Sequence, residues 1–215
     1  MPILKPRPPA DVAEAFSSQL AEFVWAEPGQ ERLKQQFVGE MGEIPSLSDL
    51  GHPGERSLLH DAHRLFILGL QDIADDAGID AAKFAGWRFF AGKARGKILL
   101  GTVVLKADGW RLTAGYYGKR VGAALIASLA LDKLKELQGG KYELRVLAVL
   151  GLNLEAFWLA SVDEERPDLV VPFPAKPDQP IEALNKRRVY TMANFLAAIR
   201  PLAQLRLAAD WKYGG

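Results

Sequence analysis

Apolar residues recur along this chain first at helical spacing and later at strand spacing. Val12, Phe16, Leu20, Phe23 and Val24 share one helical face, and Asp11 with Glu14 three residues on reads as a capping box at its start. Pro28 can open a second helix anchored by Leu33 and Phe37, which Gly39 or Gly42 would end. A loop with Pro45, Gly51, Pro53 and Gly54 comes next. The widest stripe predicts a helix over 55–76, with Leu58, Ala62, Leu65, Phe66, Gly69, Leu70 and Ile73 on one side. Gly78 supplies a left-handed stop, and a short helix over 80–85 bridges to a strand-rich segment.

From Gly86 the period changes to two. Strands are predicted over 87–91, 97–107 and 110–117, the first two joined by a turn at 92–96. Asp108-Gly109 is a two-residue hairpin signal, because both central positions of such a turn need positive φ. It sets Ala107 opposite Trp110, Leu105 opposite Leu112 and Val103 opposite Ala114. Gly101 and Gly115 interrupt these strands and mark a bulge or a close approach of another group.

A helix over 120–138 is apolar all round in its first half, and Gly139-Gly140 ends it. Residues 142–150 read as a strand, and Asn153 as the cap of a short helix over 154–160. Residues 168–173 read as an edge strand, because Pro172 cannot donate to a ladder. A proline-rich connection leads to a closing helix over 191–209. There Met192, Phe195, Leu196, Ile199, Leu202 and Ala203 share a face, and Pro201 should kink or break the helix. Together the elements predict one α+β domain over 1–215, with an antiparallel sheet of four to five strands and helices mainly on one face. Its parts are an extended lead (1–10), a helical part (11–85), a sheet with a crossing helix (86–175) and a C-terminal helix (176–215).

Composition narrows the chemistry. The chain has 215 residues and no cysteine, which excludes disulfides, thiolate metal sites and thiol nucleophiles. The N-terminal residues hold Pro2, Pro6, Pro8 and Pro9 and no apolar run of signal-peptide length. The 11-residue uncharged run over 121–131 falls short of the about 20 residues of a membrane span. The expected location is therefore cytoplasmic, with no membrane contact. A net charge of +1 argues against a protein that coats nucleic acid. The charges are unevenly placed, however. Residues 1–80 hold 14 acids and 6 bases, residues 81–131 hold 9 bases and one acid, and residues 132–215 are nearly balanced. Either the acidic and basic segments neutralise each other within the fold, or an anionic partner meets the basic one.

Five groups bear on candidate chemistry. His60-Asp61 is the dipeptide of the HD-type metal phosphohydrolases, a resemblance confined to those two residues. On the expected helix, His60 and His63 would lie about 160° and about 100° from the apolar stripe, facing solvent or the rim. Arg88, Lys93, Arg95 and Lys97 surround a glycine-rich turn that could grip an anion, though it lacks the phosphate-cradling P-loop pattern. Lys186-Arg187-Arg188 reads as a solvated helix entry, and Ser128 as small core packing in an apolar helix. Trp87, Phe89, Phe90, Trp110, Tyr116 and Tyr117 could line an apolar pocket between sheet and helix. No cofactor pattern and no catalytic constellation emerges. The leading expectation is a non-catalytic intracellular module for a protein partner or small ligand. An anion- or nucleic-acid-binding protein using the 88–97 turn and a metal-dependent hydrolase using His60 and Asp61 are the alternatives. The oligomeric state is left open.

Overall fold

A computed structural model of the chain describes residues 3–25, 59–92, 98–117, 121, 124, 128, 130–163, 165–174, 184 and 189–213. In order, these form β1 (Ile3–Leu4), α1 (Ala10–Trp25), β2 (Leu59–Ile67), α2 (Leu70–Ala74), β3 (Lys83–Gly92), β4 (Ile98–Lys106) and β5 (Gly109–Tyr117). Then come β6 (Tyr142–Val149), β7 (Leu154–Ser161), β8 (Leu169–Pro174), β9 (Tyr190–Thr191) and α3 (Met192–Tyr213). The strands hydrogen-bond in the order β5-β4-β3-β2-β6-β7-β8-β9, and β1 pairs parallel with β6.

The fold is α+β, but it is dominated by a mixed sheet of nine strands. This corrects the expected sheet of four to five strands with helices mainly on one face. Much of the difference comes from two stretches expected as helices, one from its apolar spacing and one from Asn153 as a cap. Residues within 55–76 supply β2, and residues 154–160 lie in β7. Further, the second half of the helix expected over 120–138 is a pair of short 3-10 turns, Leu131–Lys133 and Lys135–Leu137. The predicted second helix, the 45–54 loop, residues 93–96 of the predicted 92–96 turn and Lys186-Arg187-Arg188 lie outside the described residues.

Contacts divide the chain into two compact units. One comprises residues 6–64 and 86–131, the other residues 1–5, 65–85 and 132–215. In the first, α1 packs on one face of the strands. Val12, Phe16 and Leu20 of α1 bury themselves with Trp87, Phe89 and Ala91 of β3, Val103 of β4 and Leu112 of β5. Phe16 stacks on Phe89 with ring centroids 4.5 Å apart. Each such large apolar side chain removed from water contributes about 1.5–3 kcal/mol. Trp87 and Phe89 therefore fill a core rather than line a pocket.

The β4–β5 hairpin keeps its predicted faces only between its tip and a bulge, and its register shifts; beyond the bulge Ala114, expected opposite Val103, is opposite Thr102. Leu105 faces Trp110 and Val103 faces Leu112, two residues from the expected partners. Asp108 does not adopt positive φ. Gly109 alone does, at 114°, so Ala107 and Asp108 form the turn and the glycine follows it. A bulge between Thr102 and Val103 then absorbs one residue of β5 and brings Gly101 opposite Gly115.

In the second unit, β6 and β7 pair along their full length, and both faces of each are buried. The helix α3 buries Met192, Phe195, Leu196, Ile199 and Ala203, the face that the spacing predicted. These side chains pack with Leu147 and Val149 of β6, Ala156 and Trp158 of β7, Val170 of β8, and Leu68 and Ile73. The helix continues through Pro201, which is solvent-exposed and does not end it. Asn153 takes a left-handed conformation (φ 49°) at the end of a 3-10 turn, Leu150–Leu152, and leads into β7 instead of capping a helix. Pro172 pairs with Ala156 on one side and sits beyond the two residues that β9 covers, which accounts for its missing donor. Among the described residues, no helix is long and apolar enough to cross a membrane.

Candidate functional site

Strand alternation sorts the first unit into two layers. Trp87, Phe89 and Ala91 of β3, with Ala62 of β2, join the α1 core, and Arg64 lies over the Trp87 ring. Arg88 and Phe90 of β3, and Asp61 and His63 of β2, consequently point to the other side. The His63 ring meets Phe90 edge-on at 5.9 Å. Across the β3–β4 ladder, Arg88 is opposite Thr102 and Phe90 opposite Leu100. Residues 121, 124 and 128 are helical, and Val121, Ala124 and Ser128 are all buried, as the i, i+3, i+7 spacing of one helix face requires. Ser128 reaches β2 from that segment.

The result is a concentrated buried polar layer. His63 is 0% exposed, Ser128 1%, Arg88 5% and Thr102 6%, and they are the fully buried polar residues among those described. The Asp61 side chain is 8% exposed. The Ser128 hydroxyl donates to Asp61 Oδ2 at 3.2 Å, and His63 Nε2 lies 3.3 Å from the same oxygen. The hydrogen bond from Ser128 orients the carboxylate.

This order of groups decides what the cluster can do. In a Ser-His-Asp arrangement an imidazole stands between hydroxyl and carboxylate, so that the ring can take the hydroxyl proton. Here the carboxylate is the middle member. Asp61 accepts from Ser128 and lies 3.3 Å from His63 Nε2, so the serine proton is directed to the carboxylate rather than to a base with another role. The geometry suits recognition of a polar group better than acyl transfer.

The sequence-predicted residues fare unequally. Arg88 lies inside the sheet instead of at an exposed basic turn, because position 88 alternates away from the α1 core into the buried polar layer. Lys93, Arg95 and Lys97 lie outside the described residues. The backbone of His60 is part of β2, but its side chain is not described. Asp61 belongs to the polar layer. His63 faces inward because it sits on a strand, where the expected helix had turned it to solvent or the rim. Among the described residues, no three His, Asp or Glu side chains converge as metal ligands. Ser128, expected as small core packing, is buried and also partners Asp61. Its role as an Asp61 partner is visible only once β2 is recognised as a strand, with Asp61, His63 and Leu65 alternating on one side.

No protein-family model, no curated protein and no solved structure matches this chain.

Proposed function

We propose that the chain is a non-catalytic binding module for a small organic molecule, recognised at the polar layer formed by Asp61, His63, Arg88, Thr102 and Ser128. The observation that carries this reading is the concentration of buried polar side chains on one face. Burying a polar group costs free energy unless it is paired, and cores rarely gather several without a use for them. A layer of this kind beside apolar residues such as Phe90 and Leu100 matches the usual make-up of a small-molecule site. Its chemistry favours a ligand with an apolar body and a polar end that can both accept hydrogen bonds and donate one. Asp61 and the Ser128 oxygen, whose own proton goes to Asp61, supply acceptors, while Arg88 and Thr102 supply donors. The lack of cysteine is compatible with the cytoplasmic location included in this proposal.

Titration calorimetry with 4-hydroxybenzoate, mandelate and lactate tests the proposal. These probes pair a carboxylate with a hydroxyl on different apolar bodies. The expected result is saturable binding of at least one probe, weakened about tenfold by Ser128→Ala through loss of one hydrogen bond. If no probe binds the parent chain, or if binding is the same in folded Ser128→Ala, the reading fails.

A further inference from the structure

The terminal position of β5 raises a separate question. Among the described strands, β5 ends the hydrogen-bonded order, and it is nine residues long. Such an edge presents backbone donors and acceptors to any other extended chain. Its sequence offers little defence. From Leu112 to Tyr117 it has no charge and no proline, so within this stretch the bulge at Thr113 is the one device that blunts the edge.

One side chain does what a neighbouring strand would do. Gln19, on α1, donates from Nε2 to the carbonyl oxygen of Trp110 at 3.0 Å. Its Oε1 accepts from the backbone N–H of Leu112 at 2.8 Å. Residues i and i+2 of a strand send their outward backbone groups to the same side, so one amide spans one repeat of the edge ladder. Asp11, two helical turns earlier on α1, accepts from the Trp110 indole Nε1 at 3.0 Å and fixes the helix beside the same strand.

We infer that Gln19 is an edge-closing residue, and that the surface it closes is a strand-addition site for β5 of a second copy of this chain. A second copy fits for two reasons. The Leu112–Tyr117 segment is uncharged and so does not repel itself. Antiparallel pairing of two identical edges is also self-complementary about a two-fold axis. The amide of Gln19 occupies the Trp110 carbonyl and the Leu112 N–H that such a pair would use.

The test is sedimentation velocity over a concentration series, with hydrogen exchange read at the β5 amides, on the full chain and on Gln19→Ala. The expected result is self-association of Gln19→Ala about tenfold tighter than the parent. Exchange protection should be gained within 109–117 as concentration rises. Equal self-association of the folded variant and the parent overturns the inference, as does protection gained elsewhere. Should Gln19→Ala fail to fold, Gln19→Glu takes its place. Its carboxylate can still accept from Leu112 but cannot donate to Trp110, so association above the parent supports the inference and association at the parent's level overturns it.

Discussion

At Gly101 and Gly86, one methyl group would be enough to disturb the first unit. A Cβ on Gly101 would run into the Phe16 ring, which cannot swing aside because it is stacked on Phe89. Gly101→Ala is expected to cost about 1–3 kcal/mol, seen as a lower urea midpoint with an unchanged slope. Gly86 has φ 149°, and a Cβ there would strike the Val103 carbonyl oxygen. Backbone yields less than a side chain, so Gly86→Ala should lower the midpoint further than Gly101→Ala. The hairpin tip gives a pH prediction. The Arg111 side chain, hydrogen-bonded to Asp108 at 2.7 Å, holds that carboxyl below its ordinary value of 3.8. A carboxyl lowered on folding contributes stability above its unfolded value and loses it as pH falls through the folded value. Carboxyl carbon shifts followed by NMR should show Asp108 titrating below 3.8, and moving up toward it in Arg111→Ala. An Asp108 titration unmoved by that substitution would contradict the account.

Elements were legible in the sequence where one face was wet. The β4–β5 hairpin kept its predicted faces near its tip, and α3 buried the predicted stripe, because in both cases apolar positions alternate with solvated ones. One missed strand is buried on both faces. Leu154–Ser161 is almost continuously apolar, a pattern that helix and buried strand share at this length. Leu59–Ile67 hid itself for a different reason. Its polar members Asp61 and His63 are inside, so the usual link between polarity and exposure is broken at the candidate site itself. The residues that make up the site are those that disguised its strand as a helix. Two substitutions probe the elements as built. Trp158 Nε1 donates to Asp168 Oδ2 at 2.7 Å, beside the start of α3. Trp158→Phe should therefore lower stability by about 1–3 kcal/mol in denaturant titrations. In the interior of α3, Pro201 lacks the N–H that would bond the Ala197 carbonyl, and both residues are exposed. Pro201→Ala is expected to raise stability by about 1–2 kcal/mol, since the gain of a helical hydrogen bond outweighs the added freedom of the unfolded chain. No gain on thermal unfolding would mean that the proline is accommodated without cost.

At the scale of the whole molecule, the uneven charge along the chain largely disappears. Residues 6–64 and 86–131, the acidic and basic stretches, belong to one compact unit with 13 bases and 11 acids. The other unit holds 14 bases and 15 acids. Neither has the charge expected of a nucleic-acid-coating surface. What distinguishes the first unit is instead an inward concentration of polarity, with Asp61 between Ser128 and His63 and with Arg88 and Thr102 on the same sheet face. The central claim is that this layer recognises a ligand. Chemical-shift mapping of the full chain during titration with 4-hydroxybenzoate, mandelate and lactate tests it most directly. The account predicts saturable shifts for at least one probe, centred on Asp61, His63, Arg88, Thr102 and Ser128. Saturable shifts centred on any other surface, or no saturable shift with any of the three, would contradict it.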